Sequence, residues 1–310
     1  MAKLSSKHSS STHRVIVFGA PKSGKSLIAG ALAEFYNMIW VDMENGYEVL
    51  FQLPQEWQER VELIKLPDTR SFPVGIETCL KIVKGPVSIC EEHGKVACML
   101  CKREGKEFTD VNLPALGPDS IVVFDSLTQL TNSAIAHITK GKPDDYKLDY
   151  DDWGNLGKLL DIFLSHLQQA AYNVVVISHE TEAETEGKKK TLVPVGGTRN
   201  FSRNVAKYFD HVVYAERKNK KHVFSCSSVH STTILTGSRT GALVEDAEEG
   251  SLLPIFKPEL YPTPAPIVKT HNTAQSAQSA QSAQKPTPQQ PTAKGGESAA
   301  DVLARLRSKK

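Results

Sequence analysis

The stretch RVIVFGAPKSGKSLIAGALAEF, residues 14–35, decides how the rest of the chain is read. Its first five residues form the apolar run of a strand buried on both faces, and LIAGALAEF has helical spacing. Between them stand two glycines, a proline and two lysines, a junction that suits a bound phosphate and not a packed core. At Gly19 and Gly24 the missing Cβ lets backbone N–H groups turn inward around phosphate oxygens. A helix starting near Lys25 adds the positive end of its dipole. The spacing is that of G-x-x-x-x-G-K-[ST], in the strand–loop–helix setting the motif requires. Gly19, Ala20, Pro21, Lys22, Ser23 and Gly24 then make the cradle. Lys25 reaches the β- and γ-phosphates, and the Ser26 hydroxyl joins the Mg²⁺ shell. The expected ligand is a nucleoside triphosphate.

Other apolar runs, MIWVD, VELIKL, SIVVFD and NVVVIS, also look like strands covered on both faces. Helical spacing falls between them at residues 25–36, 72–83 and 155–172. Strands alternating with helices predict an α/β fold with a mainly parallel sheet and helices on both faces. SIVVFDSLTQL puts Asp125 at the carboxyl end of a buried strand, where such sheets bind ligands. Asp125 is expected to hold Mg²⁺ through water, with Ser126 beside it; a turn-capping aspartate is the alternative. In IWVDMENG, Asp42 and Glu44 end the neighbouring strand. Glu44 is a candidate general base for the water attacking the γ-phosphate, against the alternative of an exposed turn carboxylate, and Asp42 is the weaker candidate. After Asp210 the runs HVVYAER, KHVFSCSSV and STTILTG follow too closely for helical crossovers, so antiparallel hairpins are expected to extend the sheet.

A net charge of +2 confines any nucleic-acid surface to a local patch. No apolar run approaches the roughly 20 residues of a membrane span, and the amino-terminal residues lack a signal-peptide core, so a cytoplasmic protein is expected. The domain reading is a flexible start at 1–12, one core over 13–260, a Pro/Gln/Ser-rich linker at 261–296 and a short helix at 297–310. In that last segment Ala299, Val302, Leu303 and Leu306 share one helical face, and a partner-docking peptide competes with a plain solubilising tail.

Five cysteines, an odd number, argue for metal or burial over a disulfide scaffold. CEEHGKVACMLC spaces Cys90, His93, Cys98 and Cys101 as C-x2-H-x4-C-x2-C, three thiolates and one imidazole that suit a closed, structural Zn²⁺ site. The polar segment around it, about 86–109, reads as a small insertion folded by its metal. Cys79 and Cys226 read as core thiols.

Taken in order, these motifs resemble the RecA-like recombinase ATPases, most of all the short bacteriophage RecA-like ATPases of single-strand annealing. The resemblance covers about residues 14–243. GAPKSGKS is similar to the Walker A loop, VVFDSLTQL to the Walker B strand and VDMEN to the D-x-E segment whose glutamate is the catalytic base. VVVISHE ends in His179, where relatives carry a polar residue that contacts the γ-phosphate and signals to a DNA-binding loop; the usual Asn-Gln is His-Glu here. VGGTRNFSRNVAKYFDHVVYAE is similar to the glycine pair, helix and strand after the second DNA-binding loop. The resemblance implies DNA-stimulated hydrolysis of ATP with Mg²⁺, single-stranded DNA as partner and a homo-oligomer, ring or filament. It implies DNA contacts at Lys188, Lys189, Lys190, Arg199 and Arg203, with a solvated charge run as the alternative. Arg239 is either an arginine finger or a turn cap, and the tail is a candidate docking point for a single-strand-binding or replication protein. A small-molecule or nucleotide kinase, and a non-hydrolysing replication adaptor, remain as competing functions; against a kinase, residues 132–152 read as acidic loop rather than lid.

Overall fold

A computed structural model of the chain describes residues 12–184, 190–219, 221–226, 233–239, 247–248 and 251–260. Lys188, Lys189, the linker and the carboxyl-terminal segment with its predicted helix lie outside these residues.

The chain starts with β1 (Arg14–Gly19), β2 (Asn37–Asp42) and β3 (Val61–Lys65), continues through a small hairpin of β4 (Val87–Cys90) and β5 (Phe108–Val111), and returns with β6 (Ser120–Asp125). Then come β7 (Asn173–Glu184), β8 (Lys190–Pro194), β9 (His211–Lys218), β10 (Lys221–Ser225), β11 (Gly237–Ser238) and β12 (Ala247–Glu248). The helices are α1 (Lys25–Gly30), α2 (Gln55–Gln58), α3 (Val74–Ile82), α4 (Met99–Glu104), α5 (Leu127–Ile138), α6 (Tyr150–Gln168), α7 (Arg199–Asn204) and α8 (Leu253–Phe256). The main sheet runs β12-β10-β9-β1-β7-β6-β2-β3. From β3 to β9 every neighbour is parallel.

The continuous apolar runs follow from burial on both sides of this sheet. In β1, Val15 and Val17 enter one core while Ile16 and Phe18 enter the other; Ile121 and Val123 of β6 divide from Val122 and Phe124 in the same way. The first layer is completed by α1 and α8, the second by α3, α5 and α6. Phe163 of α6 meets Phe124 edge-on, with ring centroids 5.0 Å apart.

Two expectations are corrected. The helix from Lys25 ends at Gly30 and passes into a 3-10 turn, Ala31–Glu34; a Cβ at Gly30 would stand 2.9 Å from Leu50, and glycine is a weak helix former. The acidic stretch 132–152 is not loop throughout. α5 runs to Ile138, and α6 begins at Tyr150, where Asp149 and Asp152 close a capping box. The expected antiparallel extension is present, since β10 and β11 both pair antiparallel with β9, while α7 and the 3-10 turn Val205–Tyr208 provide a crossover that lays β9 itself parallel to β1.

Phe163→Ala should lower the unfolding free energy by about 3–5 kcal/mol in denaturant titration, the cost of an emptied aromatic site. The neighbouring Ile162→Ala, at a 39% exposed side chain, should move it by less than about 0.5 kcal/mol.

Candidate nucleotide and metal sites

Parallel strands bring their carboxyl ends to one edge, and most of the sequence-marked residues gather there. β7 lies between β1 and β6, so His179 pairs level with Gly19 and Ile177 level with Asp125. On the far side of β6, Asp42 is level with Asp125. The loop from Gly19 to Gly24 closes over this edge. Gly19 has φ +155°, and a Cβ there would run into the carbonyl oxygen of Ala215. Gly24 has φ +92°, and a Cβ would stand 2.7 Å from Nδ1 of His222. Both glycines are therefore demanded by the β9–β10 hairpin behind the loop as well as by any phosphate in front of it.

Lys25 is 6% exposed, and its Nζ donates to the carbonyl oxygens of Ala20 (2.7 Å) and Gly19 (3.0 Å). Burial lowers its pKa, with the charges of Asp125, Glu44 and Glu180 opposing. Ser26 Oγ donates to Asp125 Oδ2 at 2.8 Å, tying the first turn of α1 to the end of β6. Asp125 is 3% exposed; burial pushes its carboxyl up to about 7, against the Ser26 hydrogen bond and with help from Glu44 and Asp42. A buried carboxylate at the mouth of a phosphate loop is a fitting donor for a divalent cation, whose charge would offset the desolvation.

Asp42 is spent on shape. Its Oδ1 accepts from the backbone N–H groups of Glu44 (3.1 Å) and Gly46 (3.2 Å), so it pins the turn after β2. That turn carries Glu44 to the end of β6, where Ser126 Oγ donates to Glu44 Oε1. Ser126 also caps α5 by accepting from Gln129 N. His179 Nε2 faces the same Glu44 oxygen at 3.3 Å, while its backbone N–H donates to Thr128 Oγ1. Lys25, Ser26, Asp125, Ser126, Glu44 and His179 thus form one connected constellation.

The constellation opens on a cleft of about 470 Å³ lined by the loop, Glu44, Asp125 and His179, together with Gly46, Val49, Gln52 and His222. Sequence reasoning missed these last four. The 3-10 turn Tyr47–Gln52 has no strong period, and His222 meets the loop across 199 residues of chain. A second cleft, of about 760 Å³, adjoins it through Glu44 and His179 and carries Asp42, Asp68, Glu91 and Glu92.

Cys90, His93, Cys98 and Cys101 converge, with their ligand atoms within 4.8 Å of one another. His93 Nδ1 lies 3.0 Å from Cys101 Sγ and 3.9 Å from Cys98 Sγ, and all three cysteines are buried. Three thiols and one imidazole at this spread fit a tetrahedral Zn²⁺ with no open position. The knuckle docks on the sheet. Gly94, at φ +61°, has no room for a Cβ beside Lys65 O at 2.6 Å, and its carbonyl accepts from Thr78 Oγ1 at 2.8 Å.

Other marked residues lie apart from this edge. Lys190 is paired with Glu182 across the β7–β8 hairpin at 2.8 Å, and Arg199 and Arg203 are exposed on α7. Phe201 of α7 stacks on Tyr208, with ring centroids 6.2 Å apart. Arg239 binds Asp210 at 3.1 Å, beside the Arg14–Asp210 pair at 3.4 Å, at the amino-terminal edge of the sheet.

A family model described as an AAA domain matches residues 11–241. The chain belongs to this family, and its class is that of a nucleotide-binding P-loop ATPase, which implies use of a nucleotide and Mg²⁺. Comparison with curated proteins finds no match. Among the described residues no helix is long and apolar enough to cross a membrane.

Two measurements follow from the geometry. Unfolded, an aspartate titrates near about 4, whereas folded Asp125 holds its proton to about 7. Between those values the folded chain binds more protons than the unfolded one, so stability present at the acid end is lost as pH rises. Without Mg²⁺ or nucleotide, the Tm of Asp125→Asn should therefore gain on wild type from pH 4 to pH 7; parallel profiles would contradict the buried carboxyl. Metal analysis of the purified chain should find about one zinc, and Cys101→Ser should lose it and melt earlier.

Proposed function

We propose that the chain is a RecA-like ATPase that binds single-stranded DNA and uses ATP to promote annealing or recombination. The observation that carries the hydrolytic part is the shared Glu44 oxygen, contacted by Ser126 at the end of β6 and by His179 at the end of β7. In this reading Gly19 to Gly24 wrap the phosphates, and Lys25 leaves its loop carbonyls for the β- and γ-phosphates. Ser26 and Asp125 hold Mg²⁺. Bound there, the metal supplies positive charge against the phosphate oxygens. Glu44 takes a proton from the water aligned on the γ-phosphate, and Ser126 and His179 keep its carboxylate aimed. His179 also senses whether the γ-phosphate is present. Cys90, His93, Cys98 and Cys101 hold a structural Zn²⁺.

The DNA-binding part rests on the resemblance and on one feature of the fold. β7 runs unbroken from His179 into the hairpin whose two arms flank residues 185–189. Lys188, Lys189, Lys190, Arg199 and Arg203 would meet phosphates without reading bases, giving salt-sensitive binding. The assembly is a homo-oligomer in the cytoplasm, that of the host if the chain is phage-encoded, and the tail recruits a replication or single-strand-binding protein. A kinase acting on a small acceptor is the second reading, because the cleft of about 760 Å³ opens directly on Glu44. Its Asp68, Glu91 and Glu92 disfavour anionic acceptors.

Glu44→Gln should keep nucleotide affinity and lose turnover by about 10²- to 10⁴-fold, the usual worth of a general base. Phosphate release by wild type should rise with single-stranded DNA, and less so at higher salt. Turnover that needs a small acceptor and ignores DNA would support the kinase, and binding without turnover the adaptor.

A further inference from the structure

The β9–β10 hairpin does more than widen the sheet. β9 pairs parallel with β1, and β10 folds back antiparallel, placing His222 level with Arg217. The hairpin thereby lies against the phosphate loop at both of its glycines. Ala215 O fills the space where a Gly19 side chain would be, and the His222 ring fills the space of a Gly24 side chain, with Nδ1, Cγ and Cε1 at 2.7, 2.9 and 3.1 Å from that position. Between them, His222 Nδ1 is 2.9 Å from the backbone oxygen of Ser23. A carbonyl only accepts, so the proton of this bond sits on Nδ1.

We infer that His222 is a positioning residue for the phosphate loop, one that sets the plane of the Ser23–Gly24 peptide. In a trans peptide the carbonyl and the following N–H point in opposite directions. Drawing Ser23 O towards the hairpin therefore turns the Gly24 N–H away from it, into the concave side of the loop. At Gly24, with φ +92°, no side chain restricts the peptide, and the loop on its own would sample both orientations. His222 removes one of them in advance. The energy of ordering that peptide is then met on folding rather than on nucleotide binding, which is how preorganisation raises affinity. The ring lines the same cleft as Lys22, Ser23 and Gly24.

The inference rests on the nucleotide-binding reading, and the test separates the two. A fluorescent ADP analogue with Mg²⁺ is titrated into the full chain and into three variants. His222→Ala, assayed well below its Tm, should bind about three- to tenfold more weakly, the worth of one neutral hydrogen bond. His222→Phe keeps the ring volume against Gly24 but has no donor, and should bind as weakly as His222→Ala. His222→Asn can present an N–H where Nδ1 stands and should restore binding to within about twofold of wild type. Wild-type affinity in His222→Phe, or no rescue in His222→Asn, would overturn the positioning role and leave the nucleotide site intact. A wild-type chain that binds no analogue would overturn the nucleotide reading itself, and this inference with it.

Discussion

The hydrogen bond from Ser26 to Asp125 joins two parts of the chain that otherwise have no reason to meet. One is the first turn of α1, the other the end of β6, and β7 lies between their strands. Closing that gap requires Asp125 to be buried at the sheet edge, an unfavourable place for a lone carboxylate. Glu44 and Asp42 add to this cost, and other neighbours offset it. Ser26 donates to it, Lys25 supplies a buried positive charge nearby, and the turn pinned by Asp42 brings in Glu44 on Ser126 rather than on Asp125. Such surroundings fit a divalent cation, whose charge would offset the burial of the carboxylate.

Much of the fold was legible because β1, β2, β6 and β7 are buried on both faces, and such strands show continuous apolar runs whatever their neighbours are. The phosphate loop was legible for a local reason, since its motif residues fall within eight consecutive positions. The cysteine cluster was too, because ligand spacing survives in sequence. Where the reading failed, the deciding contact was distant or polar. Asp149 and Asp152 start α6 through a capping box, yet as acidic residues they pass for loop. Asp42 and Glu44, two residues apart, could not be assigned by spacing; the hydrogen bonds of the turn separate the residue that shapes from the residue that faces the cleft. His222 left no sequence signal at all.

The cysteine knuckle has a structural part in the same edge. Gly94 and Thr78 fasten it to the end of β3 and to α3, and Phe72 meets His93 edge-on. Glu91 and Glu92 project from it into the cleft that Glu44 and His179 also line. A polar segment with so small a core of its own would draw its shape from a metal held by the four ligands, and the wall of the larger cleft would then be only as firm as that site.

β7 is twelve residues long, and only its first half is clamped inside the sheet. Past His179, as far as Glu184, the strand has β8 as its one strand partner among the described residues, over a span of about 16 Å at roughly 3.3 Å per residue. A tilt of about five degrees at His179 would carry Glu184 through about 1.4 Å, half a hydrogen-bond length, so this outer arm would amplify a movement at the cleft.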